Sequence, residues 1–415
     1  MVHQLDYLNM KELLQKSETY LDTLCNEITE RSVGSDGNRA ASQYFKKIIS
    51  LMGWSVETQE FEAVDWIDGG ANLYCGEAGF QVYVSPYSLG CAVEGQLMSI
   101  SNIEELERLN FAGSLVLLHG DIAKEQLMPK NFVFYNPEEH QRIISLLEKG
   151  QPKAIICATG RNAALAGGAY PFPLIEDGDL DIPSVFMTEE EGARLLPHAG
   201  TIVSLKSTSQ RVPGNGFNVV ARKGSQSGRR IVVTAHIDAK KGTPGAIDNA
   251  SGVVVLLLLA ELLNDYAGNN LIEIVALNGE DYYAVPGQIR YIQDYRDQFN
   301  KIALNINIDG AGYMEGLSAF SFYGLPAEME HRIKELIGQF DGITVGPQWV
   351  QGDHSIFIQN GCPAIAVSSD WFSAHIDSQA ITHTPKDNIE IVDCSKLMEI
   401  AQALSLFIRK YCPDM

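Results

Sequence analysis

Apolar residues recur at helical spacing along residues 5 to 53, predicting one helix from Leu13 to Ile28 and another from Asn38 to Met52, separated by Gly34-Ser35-Asp36-Gly37. Trp54 to Phe61 then alternates in the manner of an exposed or edge strand. From about Asp68 to Ser209 the texture changes to short β-type runs, such as Gly79 to Val84 and Gly113 to Leu118, broken by Gly and Asn. A helix from Pro137 to Lys149 and a strand from Ala154 to Cys157 fall within this stretch, which reads as a small α+β domain inserted into a larger one. After Gly214, buried strands alternate with helices, the pattern of an α/β sandwich on a largely parallel sheet. The predicted strands are Arg230 to Thr234, Leu271 to Leu277, Ala303 to Ile308, Ala319 to Tyr323 and Ala364 to Val367. The predicted helices are Ser251 to Asn264, Gly287 to Phe299, Pro326 to Gln339 and Cys394 to Lys410. The expected architecture is a three-layer sandwich formed by residues 1–66 and 211–415, with residues 67–210 as the insert.

The length of 415 residues fits two domains better than one. Composition is that of a soluble globular protein, with 45% hydrophobic and 20% charged residues. Fifty-two acidic against 31 basic residues give a net charge of −21, which repels nucleic acid and anionic membranes and discounts both as partners. The longest strongly apolar run, Val253 to Ala260, falls far short of the about 20 residues that a membrane span needs. The first 25 residues carry no uninterrupted apolar core or small-residue cleavage site, so a soluble protein without a standard export signal is expected. Seven widely spaced cysteines, with no Cys-x-x-Cys pair, fit free thiols in a reducing cytoplasm.

Candidate chemistry gathers after the carboxyl ends of the predicted strands, where open α/β sheets bind ligands. The strand at Arg230 runs into His236-Ile237-Asp238, a spacing that lets a carboxylate orient a metal-bound imidazole. Asp248 lies 12 residues beyond His236, just ahead of the apolar helix, where it could instead be a plain helix cap. The strand Leu271 to Leu277 ends in the adjacent acids Glu280-Asp281, whose mutual repulsion a cation would relieve. Asp309 follows the next strand, and His383 lies near the carboxyl end of the chain. Two histidines and three carboxylates suit two zinc ions if one carboxylate bridges them. Sharing leaves one acid of the adjacent pair free to act as general base toward water.

The ordered set Thr234-Ala-His236-Ile-Asp238, Asp248-Asn-Ala-Ser-Gly252, Glu280-Asp281, Asn307-Ile-Asp309 and His383-Thr384 resembles the co-catalytic zinc aminopeptidases of peptidase family M28. The resemblance is strong over residues 210 to 415 and weak over residues 10 to 65. It implies a fold of the zinc-exopeptidase type and a metal-dependent exopeptidase that cleaves the N-terminal bond of peptides. Two zinc ions, or another divalent metal, would be held by His236 and Asp309 on one side and Asp281 and His383 on the other, with Asp248 bridging. Glu280 would be the general base, Asp238 the carboxylate that orients His236, and the Asp248-Asn249 peptide bond would be cis. The usual motif has Glu-Glu where this chain has Glu280-Asp281, so the ligand side chain is one methylene shorter and its backbone must sit closer to the metal.

Gly352-Asp353-His354-Ser355-Ile356-Phe357 resembles the family's Ser-Asp-His-x-x-Phe segment near the substrate, which makes Asp353 and His354 candidate substrate contacts but not ligands. Tyr283 could narrow the same pocket or simply pack. Three stretches of the insert, Val116 to Gly120, Lys153 to Ile156 and Ile182 to Phe186, resemble a protease-associated domain. The remaining histidines, His3, His119, His140, His198, His331 and His375, read as structural. Alternative readings are a glutaminyl-cyclase-like transferase using one zinc, a carboxypeptidase or dipeptidase, and a non-catalytic binding relative.

Overall fold

Every residue from Ser251 to Ala260 is buried in the helix Ser251–Leu262. This apolar helix is enclosed by the sheet on one side and by the helices Val2–Asp22, Asp36–Leu51 and Cys394–Tyr411 around it. The computed structural model describes residues 2–162, 166–349, 351–375 and 380–411, with side chains from residue 10 to residue 410. Among the described residues the chain divides into two compact units, one containing residues 2–63 and 215–375 and continuing from residue 381, the other containing residues 64–214. It passes between them in the strands Ser55–Ile67 and Gln210–Gly224.

The first unit holds an eight-stranded sheet in the order Ser55–Ile67, Gln210–Gly224, Leu271–Leu277, Arg230–His236, Ile302–Ile308, Ala364–Ser369, Ser318–Tyr323 and Ile343–Val345. The four central strands are mutually parallel. Gln210–Gly224 and Ser318–Tyr323 flank them antiparallel. Alternation along the strands separates the two faces. Ile231, Val233 and Ala235 join Ile272, Ile274, Leu304 and Ile306 in the apolar core under the four helices. Their neighbours Arg230, Thr234, Glu273, Asn305 and Asn307 point to the opposite face and are buried there too.

That second face is covered by the helices Pro286–Tyr295 and His354–Gln359. Tyr291 donates its hydroxyl to Glu273 at 2.7 Å and packs on Phe357 at 5.7 Å between ring centres. Helices on both faces of a largely parallel sheet make the unit a three-layer sandwich. Two of the expected helices end early: the first changes to a π-turn at Thr23–Glu27, and Pro286–Tyr295 continues only as a 3₁₀ segment, Arg296–Lys301.

The second unit has its own eight-stranded sheet, ordered Ala78–Phe80, Ala71–Cys75, Ile202–Ser207, Cys91–Ile100, Leu115–Leu118, Ala154–Thr159, Ser184–Thr188 and Tyr83–Val84. The expected run Gly79 to Val84 is split into two strands on opposite edges of this sheet. Separate apolar cores lie on its two faces, one built around Ile143, Leu147 and Phe172, the other around Leu73, Leu97 and Met187. Among the described residues no helix is long and apolar enough to cross a membrane.

Candidate metal centre

Three of the four central strands, Leu271–Leu277, Arg230–His236 and Ile302–Ile308, lead into acids or a histidine that converge with Asp248 and His383. His236 is the last residue of its strand and is almost completely buried. Its Nε2 lies 3.1 Å from Asp248 Oδ1 and 3.6 Å from Asp309 Oδ1. His383 Nε2 lies 3.2 Å from the other oxygen of Asp248 and 3.2 Å from Asp281 Oδ1. Asp248 thus turns one carboxylate oxygen to each imidazole. Two trios sharing Asp248 result, His236 with Asp248 and Asp309, and His383 with Asp248 and Asp281, each with one donor atom per residue within 4.8 Å of the others.

The donor set fits a borderline divalent cation such as zinc, which takes imidazole nitrogen and carboxylate oxygen. Both ring nitrogens of His236, and Asp281 Oδ2, are buried without a hydrogen-bond partner. Buried polar atoms are normally satisfied, and lone pairs left free on His236 Nε2 and Asp281 Oδ2 beside other acceptors fit a bound cation.

Neighbouring side chains hold these loops. Asp238 is fully buried and accepts the backbone N–H groups of Gly279 at 2.7 Å, Glu280 at 3.3 Å and Asp281 at 3.0 Å. The expectation that Asp238 orients His236 meets a longer approach, 3.6 Å from its Oδ1 to His236 Nδ1. Asp238 also fixes the backbone from which the shorter Asp281 side chain reaches its trio. The Asp248-Asn249 peptide is cis. Asp248 is not the helix cap: Asn249 Oδ1 accepts the N–H of Gly252 at 3.0 Å, while its amide donates to Ile308 O at 2.8 Å, next to Asp309.

Sequence reasoning missed Asp387. Its carboxylate accepts the N–H of Ile247 at 2.6 Å and of Asp248 at 3.1 Å, and its carbonyl accepts that of Ala246 at 3.2 Å. The available signal was an acid shortly after a candidate histidine ligand, as in the pair His236 and Asp238. Gln288, also missed, donates to Asp353 Oδ1 at 2.8 Å.

Charges respond to this crowding. Burial alone would lower the pKa of His383, but Asp281 and Asp248 outweigh it and lift the value to about 10. His236 is likewise raised despite its burial, by Asp238, Asp248 and Asp309. Glu280, half-buried, is pushed well above the usual carboxylate range by burial and by the surrounding acids Asp309, Asp281 and Asp353, against the pull of His236. Burial raises Asp353 to about 7 and, with the charge of Asp248, Asp387 to about 7.

The three candidate substrate contacts are buried. Asp353 is 3% exposed and Tyr283 8%, the latter packed on Tyr282 with ring centres 4.6 Å apart. His354 is in neither trio; its Nε2 lies 3.0 Å from the carbonyl of Trp349, and its ring packs between Trp349 and Tyr323.

A largely parallel sheet whose strand ends lead to two linked histidine–carboxylate trios defines an α/β protein with a candidate metal centre. Residues 218–408 match the model of Peptidase family M28. Over 240 residues the chain is 25% identical to "Aminopeptidase YwaD" of Bacillus subtilis (strain 168), and over 259 residues it is 27% identical to "Leucine aminopeptidase 2" of Trichophyton rubrum. Each match takes in 55% of this chain and 51% of the relative, so the chain spans about half the length of these relatives. Its fold is that of an aminopeptidase from Aneurinibacillus sp. strain AM-1, with a TM-score of 0.73 at 18% identity over 96% of this chain and 93% of that one. It is also that of a zinc aminopeptidase from Bacillus subtilis, with a TM-score of 0.72 at 17% identity over 96% and 94%.

Proposed function

We propose that the protein is a zinc aminopeptidase that hydrolyses the first peptide bond of a peptide with a free amino terminus. The observation that carries this reading is the division of Asp248, one oxygen 3.1 Å from His236 and the other 3.2 Å from His383, which suits one carboxylate shared by two cations. His236, Asp248 and Asp309 would hold one zinc, and Asp248, Asp281 and His383 the other. When bound, such ions polarise a carbonyl and bring the pKa of water down to about 7.

Glu280 is the group that moves protons. It stands beside the trios without belonging to either, which is the place of a base that takes a proton and returns it. It accepts the proton of the attacking water and delivers it to the departing amine. Asp238 keeps Glu280 and Asp281 in register by holding their amides.

The likeness of the 64–214 unit to a protease-associated domain belongs to the same proposal and rests on its three sequence stretches. So does a cytoplasmic location, supported by the six cysteines among the described residues, all unpaired. The test is to measure zinc per chain together with hydrolysis of aminoacyl substrates with free and blocked amino termini. Two zinc ions and cleavage only of the free-amine substrate are expected. One zinc ion per chain at saturation, or equal cleavage of the blocked substrate, would refute the reading.

A further inference from the structure

Arg31 lies outside the family-matched residues 218–408, yet its side chain ends among the loops that carry the metal-centre residues. The guanidinium is buried at 2% exposure and spends its donors on main-chain carbonyls. Nε donates to Ile237 at 3.0 Å, Nη1 to Leu24 and to Pro244 at 2.7 Å each, and Nη2 to Gly245 at 2.7 Å. Ile237 separates His236 from Asp238, and Gly245 lies three residues before Asp248. The backbone of Arg31 grips the same segment, since its carbonyl accepts the N–H of Ala239 at 3.3 Å. Gly245 has φ 58°, and a Cβ there would come within 2.9 Å of Nη2, so the loop is shaped to receive the guanidinium.

Asn38, seven residues on, closes the same arrangement from the other side. Its amide nitrogen donates to the carbonyl of Arg31 at 3.0 Å and to Asn278 Oδ1 at 2.8 Å, and Asn278 returns a bond to Asn38 Oδ1 at 2.9 Å. Asn278 immediately precedes Gly279-Glu280-Asp281, the loop held by Asp238. A buried cation is costly unless its hydrogen bonds are made, and here they are made to the flanks of the candidate ligands rather than to a general core. Metal and catalytic geometries tolerate errors of only about 0.5 Å, which is the scale such fixed bonds control.

We propose that residues 24–38 form a positioning brace for the metal centre, in which Arg31 sets the loops of His236 and Asp248 and Asn38 sets the loop of Glu280 and Asp281. The match to Peptidase family M28 thus covers a segment whose site is completed by residues far upstream. The turnover part of the inference rests on the proposed aminopeptidase reading, whereas zinc affinity is read independently of it.

The experiment compares the full chain with Arg31→Lys and Asn38→Ala. Fold is monitored by circular dichroism and melting temperature, zinc affinity by competition with a chelating dye, and kcat and KM on an aminoacyl p-nitroanilide at saturating zinc. Lysine keeps the charge but cannot span four carbonyls as the planar fork does. Arg31→Lys should fold, weaken zinc by about 10–100-fold and lower kcat, with KM nearly unchanged. Asn38→Ala should lower kcat by a similar factor while retaining two zinc ions. A lower melting temperature with unchanged zinc affinity and kcat in both variants would make the brace merely structural and overturn the proposal. Should Arg31→Lys fail to fold, unchanged kcat and zinc affinity in Asn38→Ala alone overturns it. Zinc binding without turnover in the parent protein refutes the aminopeptidase reading, and the variants' zinc affinities then decide the brace.

Discussion

Asp238 accepts the backbone N–H of Asp281 at 3.0 Å, so one buried carboxylate governs where the neighbouring acid pair can reach. Its other oxygen takes the amides of Gly279 and Glu280. Asp238→Asn keeps the shape but replaces one acceptor by a donor that faces an N–H. Turnover should fall by about 10–100-fold, the usual effect of losing a supporting residue behind a metal ligand. Kinetics at saturating zinc check this, and undiminished kcat would show that the loop holds its place without Asp238.

Glu280→Gln retains size and a carbonyl oxygen but cannot accept a proton. Zinc content should stay at the parent level while kcat falls by about 10²–10⁴-fold. Asp281→Asn should behave oppositely, losing one zinc ion on dialysis and regaining part of its activity in excess zinc, because a neutral amide is the poorer ligand. Metal analysis and rates on the same preparations separate the two roles.

Zinc should stabilise the protein more as pH rises. In protein stripped of metal, His383 has a pKa of about 10, above its ordinary 6.5, and His236 is also raised. Their stabilisation is complete below about pH 6.5 and is lost as pH rises through the folded value. Asp353 and Asp387, raised to about 7, act in the same direction at lower pH, since a buried acid that prefers its proton loses stability as that proton leaves. Bound zinc takes over the imidazole nitrogens and removes the histidine contribution to this loss. Melting temperatures with zinc and with a chelator should therefore diverge between about pH 6 and about pH 9. A constant gap would contradict the assigned ligands.

Glu273 is fully buried and accepts from Arg230 at 2.5 Å, Arg222 at 2.7 Å and Tyr291 at 2.7 Å. Arg230 already has Nε and Nη1 without a partner. Glu273→Gln removes the charge that both guanidiniums share and should cost about 3–5 kcal/mol in urea unfolding. Zinc stoichiometry should not change, because none of the metal-centre residues contacts Glu273 among the hydrogen bonds it makes.

The central strands could be read from the chain because strands buried on both faces are continuous apolar runs, as in Leu271–Leu277 and Ile302–Ile308. The same runs ended in His236, Glu280-Asp281 and Asp309, so the candidate site was legible as polar residues at strand ends. Short, half-exposed strands of the insert escaped: Ala71–Cys75 and Ile202–Ser207 bury only part of their residues, and a chain of such pieces has no strong period. Gln210–Gly224 escaped for another reason. It contains Pro213, Gly214 and Gly216, which argue locally against a strand, yet a Cβ at Gly216 would come within 2.8 Å of Phe61, so close packing requires the glycine.

The sequence by itself determined the layers, the strand ends and the residue types able to hold metal, because each depends on local periodicity and on residues within a few positions of one another. Only the tertiary structure decided that one oxygen of Asp248 faces His236 and the other His383, and that Asp387 and Arg31 hold the loops around it. Asp387 bonds across 140 residues and Arg31 across 206 to 214. Contacts at such separations leave no periodic trace in the chain. They exist only when the buried sheet brings its loop ends together and each buried polar atom must find a partner there.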